Sequence, residues 1–272
     1  MSAKEKKINN YLITINNIED IKDYKKVGVT AFLFALKDYS IGYEKTYTYE
    51  EINSIPDKKY VLINTLLNTT DIDNIRPILN NLKVDGFVFE DVGLINLLKD
   101  KQGEKILFIN HFNTNSQSIN NWLEYVDSVV ISNELTLKEY QEILPKVNKN
   151  IVVQALGYNQ IMYSKRHLLK NFQEQFNLPQ KNKTIIKDKQ GDTKFNIIDS
   201  KEGTIILSNK IFNGSKLLDL PNVLYYLINT SYIKKDDILS FINNKEIENT
   251  DEGFLNKATY YKLKEVKKWL NY

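Results

Sequence analysis

Seven short runs of apolar and β-branched residues recur along the first 156 residues, and this recurrence constrains the fold more than any other feature. Stretches with helical periodicity separate the runs. Each run and the stretch after it occupy about 20–30 residues, the length of one βα unit. Consecutive units of this kind build a parallel sheet covered by helices. The predicted strands are residues 11–15, 29–36, 60–66, 86–89, 105–112, 128–132 and 151–156.

Two α/β architectures fit the pattern, and the number of predicted strands favours one of them. An open doubly wound sheet and a closed barrel both accommodate seven units, but seven strands in a row favour a TIM-like (β/α)8 barrel, which needs an eighth strand. Residues 223–229, Val-Leu-Tyr-Tyr-Leu-Ile-Asn, are the best candidate, and residues 235–243 follow as a closing helix. The predicted fold class is therefore α/β, a TIM-like barrel whose units need not all be regular.

The regular period fails between predicted strands seven and eight. Three short β runs, at 183–186, 194–198 and 203–207, are separated by turn sequences instead of helices. We therefore predict a β-hairpin insertion at about 181–210, within a barrel domain of residues 1–248. Residues 249–272 are predicted to form an extension that packs on the barrel and ends in a basic helix.

The composition limits the possible chemistry. The 272 residues include no cysteine, which excludes disulfides, thiolate zinc sites, cysteine nucleophiles and cysteine-ligated iron–sulfur clusters. The 37 basic and 34 acidic residues give a net charge of +3, too balanced to predict a nucleic-acid-binding protein by itself. Neither a signal peptide nor an apolar run of membrane-spanning length is evident. We expect a cytoplasmic protein that makes no membrane contact.

The carboxyl ends of the strands carry the working groups of a parallel barrel. Glu90 and Asp91 follow the fourth predicted strand, and as neighbours they point to opposite sides, so only one can face the barrel mouth. They form a weak acid–base pair, and an N-cap role is expected for Asp91. Most polar residues at strand ends bind local backbone groups. The polar residues at these ends are Asn16, Asn64, Glu90, Asp91, His111, Asn113, Ser132, Glu134, Gln154, Asn159 and Asn229.

One of the two histidines, His111, ends the fifth predicted strand. A histidine there can act as an acid, a base or a ligand, and a hydrogen-bonded structural role is an equal alternative. Glu134 precedes a predicted helix and can simply complement its dipole. The chain shows no metal-ligand spacing, no glycine-rich phosphate loop and no serine nucleophile elbow. We therefore predict no metal, no cofactor and no assigned catalytic residue.

Residues 151–172 combine a strand with a dense polar cluster. The apolar run is predicted to break at Gly157, and a helical pattern begins at Leu168. Lys165, Arg166 and His167 lie just before that helix, where they can hold a phosphate or carboxylate, or simply form a solvated first turn. The cluster comprises Asn159, Gln160, Tyr163, Ser164, Arg166 and His167.

Residues 157–169, Gly-Tyr-Asn-Gln-Ile-Met-Tyr-Ser-Lys-Arg-His-Leu-Leu, resemble the signature of peptidase family U32, the collagenase-like peptidases. The signature has cysteines where this chain has Gln160 and His167. This chain retains the Tyr, Ser and Arg of the signature as Tyr163, Ser164 and Arg166. Residues 131–139, 199–207 and 253–262 resemble other segments of the family. The similarity therefore extends over most of the chain, with the Tyr-Ser-x-Arg core as its specific part.

This resemblance implies a TIM-like barrel and, in characterised branches, hydroxylation of RNA or quinones. The RNA branches form 5-hydroxyuridine in tRNA or hydroxycytidine in rRNA, with an iron–sulfur cluster and prephenate as the oxygen source. A chain without cysteine cannot bind the family's four-cysteine cluster. We therefore expect a cluster-free auxiliary subunit that acts with a longer, cysteine-bearing paralogue in tRNA wobble-uridine hydroxylation. The alternatives are a peptidase, as the family name says, and a non-catalytic barrel that binds an anion or RNA.

These expectations define a candidate site and its partners. The expected partners are the cysteine-bearing paralogue in a hetero-oligomer, tRNA, and a small anion such as a carboxylate. Basic residues of the tail, Lys262, Lys264, Lys267 and Lys268, would add electrostatic attraction for RNA. The candidate binding residues are His111, Asn113, Glu134, Asn159, Gln160, Tyr163, Ser164, Arg166 and His167.

Overall fold

Eight parallel strands close into a barrel in the computed structural model, which describes residues 10–109, 111–189 and 193–256. The first seven strands pair in sequence order, and the eleventh pairs with both the first and the seventh, so no barrel edge is left open. This confirms the TIM-like barrel. The strands are β1 (Tyr11–Thr14), β2 (Ala31–Ala35), β3 (Lys59–Ile63), β4 (Gly86–Phe89), β5 (Glu104–Leu107), β6 (Ser128–Ile131), β7 (Ile151–Ser164), β8 (Lys183–Lys187), β9 (Lys194–Ser200), β10 (Gly203–Asn213), β11 (Val223–Ile228) and β12 (Thr250–Asp251).

A helix follows each barrel strand, and all but the helix after β7 pack on the outside of the barrel. Thr136 begins one of them with the predicted capping box: its hydroxyl accepts from the Glu139 amide at 3.2 Å, and the Glu139 carboxylate accepts from the Thr136 amide at 2.8 Å. The predicted closing helix is also confirmed, as the last of the set. The helices are α1 (Ile21–Lys26), α2 (Tyr49–Asn53), α3 (Thr69–Asn81), α4 (Leu94–Leu98), α5 (Ser116–Trp122), α6 (Leu137–Ile143), α7 (Leu168–Gln175) and α8 (Lys235–Ile242).

Side chains alternate between two hydrophobic layers because successive residues of a strand point to opposite faces. In β2, Ala31 and Leu33 fill the barrel interior, whereas Phe32 and Phe34 pack outward beneath the helices. All four are buried. Both faces of β2 are therefore apolar, and burial of both faces in a parallel barrel explains why such strands are continuous hydrophobic runs in the sequence.

A polar network closes the amino-terminal end of the barrel. The Tyr60 hydroxyl donates to Glu104 at 2.6 Å and lies 2.9 Å from the Tyr225 hydroxyl. Lys58 Nζ donates to Tyr225 at 2.7 Å. Burial, followed by the bonds to Glu104 and Tyr225, raises the pKa of Tyr60 far above its usual range. The network fills the end of the barrel that carries stability, opposite the end that carries function.

Strand β7 does not break at Gly157, which corrects the prediction for this segment. Its first half pairs with β6 and β11 in the barrel, and its second half leaves the barrel and pairs antiparallel with β10. Gly157 makes this bend with φ of 143°, where an added Cβ would lie 2.8 Å from the Cβ of Asn229. One strand therefore belongs to both the barrel and a second sheet.

The segment between β7 and β11 forms that second sheet. Strands β8, β9 and β10 are antiparallel and continue from residues 157–164 of β7; we call these four segments the insertion sheet. Helix α7 packs on one face, with Leu169 and Gln173 buried against it. The observed strands include the predicted short β runs at 183–186, 194–198 and 203–207 and are longer, and β10 gains a partner in the extended β7.

The described part of the carboxyl-terminal segment packs on the molecule. β12 pairs parallel with β10, and the carbonyl oxygen of Leu255, a buried residue, accepts from the Leu137 amide at 3.0 Å. The predicted basic helix, with Lys262, Lys264, Lys267 and Lys268, lies outside the described residues. In the part of the chain that the structure describes, every helix is too short or too polar to cross a membrane.

Candidate functional site

Glu90 lies at the carboxyl end of the barrel, which we call the barrel mouth, directly after β4. Its amide donates to the Ile63 carbonyl at 3.0 Å and extends the strand pairing by one residue. Because Val88 points into the barrel and Phe89 points outward, this continuation turns Glu90 inward. Asp91 points the other way and accepts from the amides of Leu67 and Gly93, both at 2.8 Å.

The expected N-cap role of Asp91 is therefore wrong in detail. The N-cap of α4 is Gly93, two residues later, and Asp91 instead ties the loop after β3 to the turn before α4. The carboxylate that faces the mouth is Glu90, which the sequence predicts only as half of a weak acid–base pair. Strand alternation, counted from the apolar residues of β4, is the sequence signal that identifies the inward-facing member.

One oxygen of the Glu90 carboxyl group is shielded from water, and the residue as a whole is half-buried. Its Oε1 atom is buried and has no hydrogen-bond partner among the described residues. Burial raises the pKa of Glu90 to about 8, and hydrogen bonds from the side chains of Asn64 and Gln160 only partly oppose this rise. Near neutral pH the group is therefore present largely as a neutral acid, which can donate a hydrogen bond as well as accept one.

Asn64 reaches Glu90 from the end of β3 in a fixed orientation. Its Oδ1 accepts from the Ile41 amide at 2.9 Å, and its Nδ2 donates to the Ile41 carbonyl at 3.1 Å. Tyr43, two residues along the same loop, packs on the inner core at the mouth. Burial and the charge of Glu90 raise the pKa of Tyr43 above its usual range, so its hydroxyl stays protonated.

The insertion sheet covers this part of the mouth. Ile205 and Leu207 of β10 form a small buried cluster with Ile41. The contact is close at Gly42, where an added Cβ would lie 2.6 Å from Cδ1 of Ile205, and Gly42 has φ of 86°. The cover thus packs against the loop that also holds Asn64, the neighbour of Glu90 at the end of β3.

A second group of amides lies where β6 meets β7. Asn133 Nδ2 donates to Asn159 Oδ1 at 2.6 Å, and Gln154 Nε2 donates to the same oxygen at 3.1 Å. The backbone amide of Asn159 donates to the hydroxyl of Ser208 in β10 at 2.9 Å. Asn159 thus joins the barrel end to the insertion sheet and supports the neighbouring Gln160.

His111 and Glu134 meet at the ends of β5 and β6, where His111 Nδ1 lies 3.0 Å from Glu134 Oε1. Both side chains are substantially exposed. When Nδ1 carries a proton it donates to Glu134, which leaves Nε2 available to a ligand. Asn113 is fully buried: its Nδ2 donates to the Val130 carbonyl at 3.0 Å, and its Oδ1 has no described partner.

A third part of the mouth, between β1 and β11, was not predicted. Glu44 accepts from Asn16 Nδ2 at 3.0 Å and from the Tyr232 amide at 2.7 Å. Tyr232 has φ of 64°, a conformation that is costly for a bulky residue and concentrates at functional sites. The Lys183 ammonium of β8 lies 4.0 Å from the Tyr232 ring centroid. No sequence pattern marks Glu44 or Tyr232, because a loop conformation brings them together.

A cavity of about 370 Å³ separates the insertion sheet from the loops after β2 and β3. Two ion pairs bridge its sides: Lys165 with Asp71 and Lys201 with Asp38, both at 2.7 Å. Tyr163 lines the cavity and donates to the Glu202 carbonyl at 3.1 Å. Burial raises the pKa of Tyr163 to about 12.

The nine predicted site residues therefore separate into groups. Gln160 meets Glu90, Asn159 joins the amide group, His111 pairs with Glu134, and Tyr163 lines the cavity. The remaining four do not converge with them. Asn113 supports the end of β6 from inside, whereas the other three lie at the outer end of β7 and the start of α7: Ser164, Arg166 and His167.

The positions that match the family's cysteines do not fit a cluster. Gln160 lies near Glu90 at the mouth, where it lowers the pKa of that carboxyl group, whereas His167 is the N-cap residue of α7 beyond the end of β7. Neither side chain is a thiolate. Within the described ranges, no three His, Asp or Glu residues are arranged to hold a metal ion.

The fold and site define a TIM-like barrel with a hydrogen-bonding mouth partly covered by an antiparallel sheet. The profile of peptidase family U32 matches residues 16–182, more than half of the chain, and the chain belongs to that family. The tRNA hydroxylation protein P2 of Bacillus subtilis is 24% identical over 220 residues, covering 72% of this chain and 70% of the relative.

Two solved structures are similar in outline. The U32 peptidase Mk0906 is 11% identical with a TM-score of 0.47, covering 58% of this chain and 72% of its own. A chitinase from Chromobacterium violaceum is 8% identical with a TM-score of 0.44, covering 86% and 98%. The barrel assignment follows from the strand order of this chain itself.

Proposed function

We propose that this protein is a cluster-free auxiliary subunit in tRNA wobble-uridine hydroxylation and acts with a longer, cysteine-bearing paralogue. The observation that carries the proposal is the similarity to the tRNA hydroxylation protein of B. subtilis in a family member that has no cysteine. The paralogue would hold the redox centre, and this chain would bind and position RNA, a small ligand or the paralogue itself.

The chemistry of the mouth supports a binding role. Glu90 with a raised pKa, Asn64 and Gln160 offer neutral donors and acceptors, which suit a polar planar ligand better than a metal ion. The exposed pair of His111 and Glu134 adds a hydrogen-bonding imidazole and carboxylate at the ends of β5 and β6. These groups bind and orient, and hydroxylation would need an oxidant supplied with the paralogue.

Deletion of the gene tests the proposal directly. Nucleoside mass spectrometry of bulk tRNA is expected to show loss or strong reduction of 5-hydroxyuridine, restored by the wild-type gene. A tagged copy is expected to co-purify the cysteine-bearing paralogue. Unchanged hydroxyuridine in the deletion strain would contradict the proposal. Casein cleavage by the purified protein, abolished by His111→Ala, would favour a peptidase instead.

A further inference from the structure

Helix α7 presents an aromatic pair on the outside of the insertion. Phe172 and Phe176 are 54% and 56% exposed, and their ring centroids are 4.8 Å apart. The helix is anchored beside the rings, where Leu169 is buried and Gln173 exchanges two hydrogen bonds with the backbone of Lys181. About half of the surface of each phenylalanine remains open to solvent and available to a partner.

Positive charge is concentrated around this helix. Residues 165–201 contain nine Lys or Arg residues and four Asp or Glu residues, a net charge of +5 in a chain whose total is +3, so the remainder carries −2. Arg166 lies just before α7, and Lys181 lies beside its far end through the Gln173 bonds. Neither side chain forms an ion pair with another described residue. The aromatic pair thus lies between two unpaired cations.

This combination fits nucleic acid better than protein. The apolar surface is two rings and the nearby Leu178, too small for the core of a stable protein interface of roughly 800 Å² per partner. Lysine is also depleted from such cores. Exposed aromatic rings within a basic surface are the usual arrangement for single-stranded nucleic acid, because every base can stack on a ring.

We propose that Phe172 and Phe176, with Arg166 and Lys181, form a docking surface for a single-stranded segment of RNA. Unstacked bases pack on the rings, and phosphates lie against the cations at the two ends of α7. A loop is favoured over a duplex because paired bases cannot offer their faces to side chains. The inference rests on the proposed function and adds to it the surface that would hold the RNA.

Fluorescence anisotropy with labelled tRNA anticodon stem-loops tests the surface. The double variant Phe172→Ala/Phe176→Ala is expected to bind about 10- to 100-fold more weakly, the effect of losing one or two stacked bases. Tyr125→Ala is the matched control, since Tyr125 is 61% exposed in the loop before β6, at the opposite end of the barrel. Circular dichroism would verify that all variants fold.

The cations are tested separately by salt dependence. Arg166→Gln/Lys181→Gln is expected to reduce the slope of log affinity against log salt by roughly two phosphate contacts. Lys138→Gln on α6, whose side chain is 83% exposed, should leave the slope unchanged. An equal reduction of the slope per removed charge in the test and control variants would overturn the assignment, because it would indicate that RNA binds through the net charge of the protein alone.

Three outcomes separate this inference from the proposed function. If deletion removes hydroxyuridine but the phenylalanine variant binds RNA and complements normally, the docking surface is wrong and the proposed function stands. If that variant binds RNA normally but no longer co-purifies the paralogue, α7 is a protein interface and the RNA assignment is overturned. If deletion leaves hydroxyuridine unchanged while the variant loses RNA binding, the surface stands and the proposed function fails.

Discussion

The Lys165 ammonium lies 2.7 Å from the Asp71 carboxylate and joins the outer end of β7 to the first turn of α3. Together with the pair of Lys201 and Asp38, it fastens the insertion sheet across the loops of the barrel mouth. Apart from the small cluster at Ile41, this fastening is polar and partly exposed. The cover of the mouth is therefore held less tightly than the barrel beneath it.

Removal of both ion pairs is expected to loosen the insertion sheet without unfolding the barrel. In Lys165→Met/Lys201→Met, hydrogen exchange should accelerate in β9 and β10, while the free energy of unfolding falls by no more than about 1 kcal/mol per pair. Lys138→Met, which removes the pair with Glu142 on α6, is the control. Uniformly accelerated exchange in the barrel strands would contradict a locally fastened cover.

Glu90 is expected to make stability fall as the pH rises. Its pKa is about 8 in the folded protein and near the ordinary glutamate value in the unfolded chain, so the folded state binds the proton more tightly. The full stability is present below the unfolded pKa, and on the order of a few kcal/mol is lost as the pH rises from about 4.5 to 8.

The variant Glu90→Gln isolates this effect, because an amide keeps the shape and does not ionise. Urea unfolding at pH 5 and pH 9 should show Glu90→Gln close to the wild type at pH 5 and more stable at pH 9. If the difference in the free energy of unfolding between the wild type and the variant does not change with pH, Glu90 is not the titrating group.

Replacement of Asn64 is expected to disturb the mouth more than its size suggests. Asn64→Ala removes two buried hydrogen bonds to the backbone of Ile41 and leaves both of those groups unpaired, at a cost of about 2–4 kcal/mol. Asn74→Ala, an exposed change on α3, should cost less than about 0.5 kcal/mol. Thermal unfolding of the two variants measures the difference.

Gly157→Ala tests the bend that carries β7 from the barrel into the insertion sheet. The new methyl group would lie 2.8 Å from the Cβ of Asn229 in a conformation that alanine rarely adopts, so a loss of at least about 2 kcal/mol is expected. Gly93→Ala, at a helical φ of −60° before α4, is the milder comparison. Urea unfolding of both variants measures the losses, and equal losses would argue against a special role for the bend.

Local pattern identified most of the scaffold. The strand runs were recognisable because residues such as Phe32 and Leu33 are buried on opposite faces, which leaves a continuous apolar sequence. The capping box at Thr136 was recognisable because it depends on residues three apart. The continuation of β7 past Gly157 was missed, because its polar residues pair with β10 about 50 positions later and carry no local sign of that pairing.

The site was only partly predictable for the same reason. His111 and Glu134 were named individually, and their contact follows from neighbouring strands ending at one edge. The raised pKa of Glu90 depends on its burial beside Asn64 and Gln160, which come from β3 and β7. No property of the segment around Glu90 encodes that environment.

Hydrophobic periodicity and composition are properties of the chain alone, and they are enough to predict the barrel, the interrupted seventh unit and the absence of any thiolate. Only the folded chain shows that β7 serves two sheets and that Glu90 has a raised pKa. It also shows that Gln160 and His167 are used apart from each other. The raised pKa of Glu90 and the cover of the barrel mouth both depend on groups that are distant in the sequence. Only folding brings those groups together.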